Sequence, residues 1–273
     1  MYTVNYNGVT FTNSSSQTVN VHGLGKIDIR NSSDNLTGRD GGNVWATKYG
    51  MRDITIFGML YADDLDSYLS LRSALQLAFD TSVGEQLLTI TLGSKTRTIL
   101  ATVIEFSELD ESEGEFAEAP YRVVLRCGSP FFGDETAYTT DYISPGIVGG
   151  TPVPMPVPSP IGGIGESLTI TNSGDVAIYP IFEILGSITN ARVQNNSTGK
   201  YFEINTTINS GQTLIAERTN QGELVTVSGV SYYQYFEGEV FELAQGTNNI
   251  SFNGSSYINA QLRLTYRFLY KTF

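Results

Sequence analysis

Apolar and polar residues alternate in short runs along most of this chain, with turn-forming residues between the runs. Residues 2–6 and 9–12 flank Asn7-Gly8, two positions that tolerate positive φ, and the spacing predicts a β-hairpin. Strand-like runs follow at 26–30, 53–58, 87–92, 98–105 and 121–127. One segment changes period. Between 65 and 79 the apolar residues recur at helical spacing, with Leu65, Tyr68, Leu69, Leu71, Leu75 and Phe79 on one broad face. Asp63 and Asp64 precede it as caps with favourable charge, so a helix packed on a sheet is expected. Arg72 falls on the same face and must snorkel or find a carboxylate.

The segment 144–165 differs in kind. Its alternating prolines fix φ and remove donors, and glycines follow them. It cannot be a central strand and reads as a semi-rigid linker. Beyond it, runs at 167–171, 178–185, 191–194, 201–205, 213–217, 224–228, 239–243, 249–252 and 260–270 recur at the spacing of an antiparallel sandwich. In the last of these, Leu262, Leu264, Tyr266, Phe268 and Tyr270 alternate with Arg263, Thr265, Arg267 and Lys271, the pattern of one buried and one wet face. No helix is expected there. The fold class is therefore mostly β. An N-terminal sandwich or barrel-like domain with one helix spans 1–143, a Pro/Gly-rich linker spans 144–165, and an antiparallel sandwich spans 166–273.

With 273 residues the chain is long enough for two cores. Its net charge of −12 is the wrong sign for holding phosphates, which argues against sequence-specific nucleic-acid binding and against attraction to anionic lipid. No apolar run reaches membrane-span length, and the first residues read as a strand rather than as a signal segment. Folding in a reducing cytoplasm is expected, which leaves Asn205-Thr206-Thr207 without meaning as a glycosylation triplet.

Candidate chemistry is sparse. Cys127 is the single cysteine and His22 the single histidine, so neither an internal disulfide nor a Cys/His zinc site is available. Cys127 reads as a small core residue at a strand end, and His22 as a turn or packing residue. No nucleophile elbow surrounds any serine. Gly38-Arg39-Asp40-Gly41-Gly42 lacks the Lys-Ser/Thr ending of a phosphate loop. The stretch 105–118 holds seven carboxylates (Glu105, Glu108, Asp110, Glu111, Glu113, Glu115 and Glu118) and no basic residue. Its spacing fails the calcium-loop pattern, and no two of its acids are marked as a glycosidase pair. A solvated hairpin tip is the better reading. No catalytic, cofactor-binding or metal-binding residue is assigned, no cofactor is expected, and an enzyme is not expected.

Several blocks together resemble the distal tail proteins of long, non-contractile-tailed bacteriophages. These are Gly38–Gly42, the run Tyr49-Gly50-Met51-Arg52-Asp53 through Gly58, the helix, and Leu125-Arg126-Cys127-Gly128-Ser129-Pro130-Phe131-Phe132. In the second half they are Asn172 through Tyr179-Pro180 to Ile184, Gly246 through Phe252, and the closing strand Leu262–Tyr270. The resemblance implies a sandwich-type N-terminal domain forming a hexameric ring and a galectin-like C-terminal sandwich facing outward. It also implies a place at the virion tail tip as a baseplate hub. The hub would join the tail-tube protein to tail-tip and host-recognition proteins and let DNA pass. The linker is longer than the family leads one to expect. Two other functions stay open. Tyr232-Tyr233-Gln234-Tyr235-Phe236 can stack on sugars, as in a carbohydrate-binding adhesion module. The acidic stretch is the feature a glycan-cleaving enzyme would use.

Overall fold

The structure is a computed structural model that describes residues 1–35, 40, 42–108, 118–147 and 166–273. Contacts divide the chain into two compact units, residues 1–135 with 270–273, and residues 136–269.

The first unit begins with the expected hairpin, β1 (Tyr2–Tyr6) and β2 (Val9–Thr12). Asn7 and Gly8 have φ of 49° and 77°, the conformation that an Asn-Gly turn supplies at little cost. Next come β3 (Asn20–His22), β4 (Ile29–Asn35), β5 (Gly42–Tyr49) and β6 (Arg52–Tyr61). After the helix α1 (Leu65–Ala78) follow β7 (Gln86–Leu92), β8 (Lys95–Glu108), β9 (Glu118–Cys127) and β10 (Phe132–Asp134). The strand order is β2-β1-β7-β8-β9-β6-β3.

β8 makes this order a sandwich. Its first half pairs with β7 through Ala101, its second half pairs with β9 from Thr102, and the register shifts between Val103 and Glu105. A long strand with a bulge can turn a corner in this way and serve two facing sheets. Between the sheets lie Val4, Tyr6, Ile54, Ile56, Leu88, Ile90, Ala101, Val123 and Leu125, all buried.

Asp64 caps α1 by accepting from the Ser67 amide at 2.8 Å, as the acidic pair predicts. Phe79 closes it, donating its amide to the Leu75 carbonyl, and stacks on Tyr6, Phe11 and Phe106. The buried stripe is narrower than the sequence suggests. Tyr68, Leu75, Ala78 and Phe79 are buried, whereas Leu65 and Leu69 are nearly half exposed. The helix is rolled so that Ala78, not Leu69, meets the sheet.

β4 and β5 pair only with each other, and every residue of β5 is exposed. The strand expected at 26–30 begins at Ile29, and β5 was not expected. Of the Gly38–Gly42 block only Asp40 and Gly42 lie among the described residues.

The second unit contains β11 (Tyr138–Thr139), β12 (Gly146–Ile147), β13 (Ser167–Asn172), β14 (Ile181–Asn195), β15 (Tyr201–Ile208), β16 (Thr213–Thr219) and β17 (Gly222–Val227). It is completed by β18 (Val230–Ser231), β19 (Phe236–Gly238), β20 (Gly246–Gly254) and β21 (Ser256–Tyr266). Here β14 plays the part of β8. Its first half pairs with β16 and β21, and its second half with β15 and β20. The result is a two-sheet antiparallel arrangement around Phe182, Phe202, Phe241, Phe252, Leu262 and Leu264, all fully buried. The runs expected at 178–185 and 191–194 are one continuous strand. The run 239–243 makes no strand. Val240, Phe241 and Leu243 are buried there, but only Leu243 bridges, to Ile178. Residues 138–147 also join this unit, through β11 against β21, Ile143 against Leu262, and β12 parallel to β20. Of the expected linker 144–165, residues 148–165 lie outside those described.

Candidate functional site

His22 and Cys127 are both packed within the first unit. His22 sits at the edge strand β3 with its imidazole edge-on to Phe57, centroids 4.5 Å apart. Cys127 is fully buried at the end of β9, and burial pushes its thiol up to about 12, far from the thiolate a nucleophile needs. Among the described residues no cluster of three or more His, Cys, Asp and Glu is placed to hold a metal. None of their helices is long and apolar enough to cross a membrane.

The acidic stretch 105–118 joins β8 to β9, and its residues 109–117 lie outside those described. Glu105 has a counter-charge that a scan of the stretch alone misses. Arg122, on the facing strand, donates to its carboxylate at 2.7 Å. Cross-strand neighbours are distant in sequence, so only the register reveals them.

Arg52 is the largest fully buried side chain among the described residues. Its side chain is 1% exposed, and it faces carbonyls rather than carboxylates. Nε donates to Pro130 at 2.8 Å, Nη1 to Gly23 and Leu24 at 2.8 and 2.7 Å, and Nη2 to Lys271. Burial lowers its pKa. One guanidinium thereby gathers the end of the β3 loop, the Pro130 turn and the C-terminal residues. Its neighbour Asp53 forms a two-pronged ion pair with Arg126 across the β6–β9 ladder, at 2.9 and 3.0 Å. Those hydrogen bonds hold the Asp53 carboxyl below its ordinary value.

Above Arg52 lies a hollow of about 530 Å³ lined by Lys26, Asp28, Arg30, Arg52, Asp53 and Arg126, among others. At the other end of β6 a second hollow is lined by Tyr61, Asp63, Asp66, Ser67 and Ser70 and contains no cation. Neither is apolar enough to bury an organic ligand in the usual manner.

The aromatic run 232–236 is divided between core and surface. Tyr233–Tyr235 form one 3-10 turn. Phe236 stacks on the buried Phe202 at 5.9 Å, and Tyr233 lies on Phe236 at 5.6 Å. Tyr233 and Tyr235 are 55% and 38% exposed. In the same unit Glu242 accepts from the Tyr179 hydroxyl and pairs with Lys200 at 3.3 Å, which together hold its carboxyl below the usual range.

Residues 173–270, within the β-rich second unit and its end, fit the family model of the siphovirus-type tail component, C-terminal domain. Over almost its whole length the chain also shares the fold of the SPP1 Dit (gp 19.1) protein, described as a paradigm of the hub adsorption apparatus in phages infecting Gram-positive hosts. The TM-score is 0.67 and the identity 14%, covering 98% of this chain and 99% of that one. The phage P2 baseplate in its activated conformation with Ca aligns at a TM-score of 0.52 and 13% identity, over 97% of each chain. The same baseplate with Sr aligns at 0.51 and 13%. No curated protein sequence matches the chain. The resemblance to distal tail hub proteins therefore holds in the family model and in the fold.

Proposed function

We propose that this chain is a structural hub of a bacteriophage tail tip. In this reading copies of it form a hexameric ring that joins the tail-tube protein to tail-tip and host-recognition proteins and lets DNA pass. The observation that carries it is the coincidence of a tail-component family match over residues 173–270 with a hub-protein fold over 98% of the chain. The exposed ribbon β4–β5 supports assembly as its mode of action. Two-stranded ribbons are marginal alone in water and gain stability when another surface covers them. The net charge of −12 suits a channel wall that repels phosphates and does not retain them. The chain is made in the host cytoplasm and works in the virion, without a catalytic step or a cofactor.

Light scattering and negative-stain imaging of the purified chain, alone and with the tail-tube protein, test this. Closed six-fold rings are expected in at least one of the two samples. A chain that stays monomeric in both would overturn the reading. The sugar-binding alternative draws on exposed Tyr233 and Tyr235, yet Phe236, the aromatic that follows the turn on β19, is stacked on the buried Phe202.

A further inference from the structure

β6 and β9 form one antiparallel ladder running from Arg52 opposite Cys127 to Tyr61 opposite Glu118. The two ends of this ladder carry opposite charge. At the Arg52 end, four cationic and two anionic side chains line the hollow. Arg52 is spent on carbonyls and Arg126 on Asp53, so Lys26 and Arg30 share Asp28 and an Asp53 that is already paired. Lys48 adds to them, because it stands directly opposite Arg30 in the β4–β5 register. Lys26, Arg30 and Lys48 are all exposed. A like-charge pair facing across two strands is destabilising by itself. It is relieved when an anionic surface covers it. In a chain with 28 acidic and 16 basic residues, such a concentration of positive charge calls for an explanation.

The Tyr61 end has the reverse character. Asp63 and Asp66 line its hollow without a cation, both are exposed, and Glu118 stands opposite Tyr61 in the ladder. From Asp53 to Tyr61 the ladder spans roughly 25–30 Å, at about 3.4 Å per residue, so the charged ends of one copy cannot neutralise each other. Two copies can. A contact between different patches on each partner is heterologous, and it builds a ring where its rotation closes and an open filament where it does not.

We propose that copies of this chain associate head to tail, the cationic hollow beside Arg30 and Lys48 receiving the acidic end near Asp63 and Asp66 of the next copy. The contact rests on the ring reading above and specifies the surfaces that make it.

The test uses the full chain with two sets of charge reversals. One set is Lys26→Glu, Arg30→Glu and Lys48→Glu. The other is Asp63→Lys and Asp66→Lys, which leaves the helix cap Asp64 intact. Sedimentation is measured at about 0.01 M salt, where charges are felt over roughly 30 Å, and at about 1 M, where they are felt over roughly 3 Å. Wild type is expected to assemble at low salt and to need at least about tenfold more protein at high salt. Each reversed set alone should stay unassembled, and a one-to-one mixture of the two should regain assembly by alternation. Matching thermal melts establish that the variants are folded. If a reversal impairs folding, Arg30→Gln with Lys48→Gln takes its place and is expected to weaken assembly in the same direction. Rings that form equally well with reversed charges, or folded variants that stay apart when mixed, would overturn the head-to-tail contact and leave the ring reading standing. Wild type that is monomeric at low salt, alone and with the tail-tube protein, would overturn both.

Discussion

The Arg52 guanidinium carbon stands 4.6 Å above the centre of the Phe132 ring, while each of its nitrogens donates to a backbone carbonyl. Phe132 is itself fully buried and meets Phe273 edge-on at 5.8 Å. The charge is thus held by oriented peptide dipoles and an aromatic face, with no carboxylate in the arrangement. A lysine has neither the planar fork nor enough donors for four acceptors. Arg52→Lys should therefore destabilise the first unit by about 2–4 kcal/mol, because buried carbonyls lose their partners. Urea denaturation followed by circular dichroism measures this. An unchanged midpoint would show that the carbonyls find water instead.

Gly58 supplies a second mechanical test. A Cβ at this position would run into the Thr18 carbonyl oxygen and crowd the Tyr121 hydroxyl, which donates to that same oxygen at 2.9 Å. Gly58→Ala should cost about 1–3 kcal/mol through overpacking, read as a lowered thermal midpoint. An alanine accepted without loss would mean that the segment carrying Thr18, just before β3, gives way freely.

Alkaline pH should weaken the first unit. Burial raises the pKa of Tyr121 and of Tyr6, and pushes the Cys127 thiol up to about 12. In each case the folded chain holds its proton more tightly than the unfolded chain does. Stability is therefore whole below the unfolded values, about 8.5 for a thiol and about 10 for a phenol. It declines as pH rises through them toward the folded values, by up to about 1.4 kcal/mol per pH unit for each group. Denaturation midpoints between pH 7 and 11 should fall, and Cys127→Ala should flatten the earliest part of the decline. A flat profile would mean that these groups ionise as easily folded as unfolded.

Proteolysis should bear on how the chain is divided. We expect cleavage within 148–165, as its Pro/Gly-rich sequence suggests. The two fragments should separate on a denaturing gel and yet co-elute under native conditions, because Tyr138–Thr139, Ile143 and Gly146–Ile147 pair with strands of the second unit. Fragments that separate under native conditions would show that these pairings contribute little, and would favour independent domains 1–143 and 166–273.

The exposed tyrosines give a last check. Tyr233→Ala with Tyr235→Ala should leave the second unit folded, since Phe236 and Phe202 keep the core contact. No saturable binding of host-wall glycans is expected before or after the change, by calorimetry on the full chain. Binding that the substitutions abolish would promote the sugar-binding alternative.

Alternation and turn chemistry made most of the strands legible, because both units bury one face of nearly every strand. The Asn7-Gly8 hairpin, the Asp64 cap and the buried Leu262 and Leu264 of β21 all follow from local pattern. Where pattern and pairing part, reading failed in two directions. Val240, Phe241 and Leu243 are buried without a ladder, so an apolar run there predicted a strand that is absent. β5 has a ladder without burial, so its Gly-Asn-Val-Trp-Ala-Thr-Lys-Tyr sequence shows no alternation, although its β-branched and aromatic residues favour a strand. The same blindness hid the Arg30–Lys48 pair and the Arg122–Glu105 bridge, which exist only through register. The surfaces proposed for assembly are thus the least legible part of the sequence, being built from residues that local pattern treats as ordinary solvent-facing positions.

β14 runs for 15 residues and gives its two halves to different sheets of the second unit. A tensile load transmitted along such a strand is shared by both sheets at once. Its ladder bonds then resist as a set in shear and do not peel open one after another. A domain built around this strand should creep little under sustained pulling.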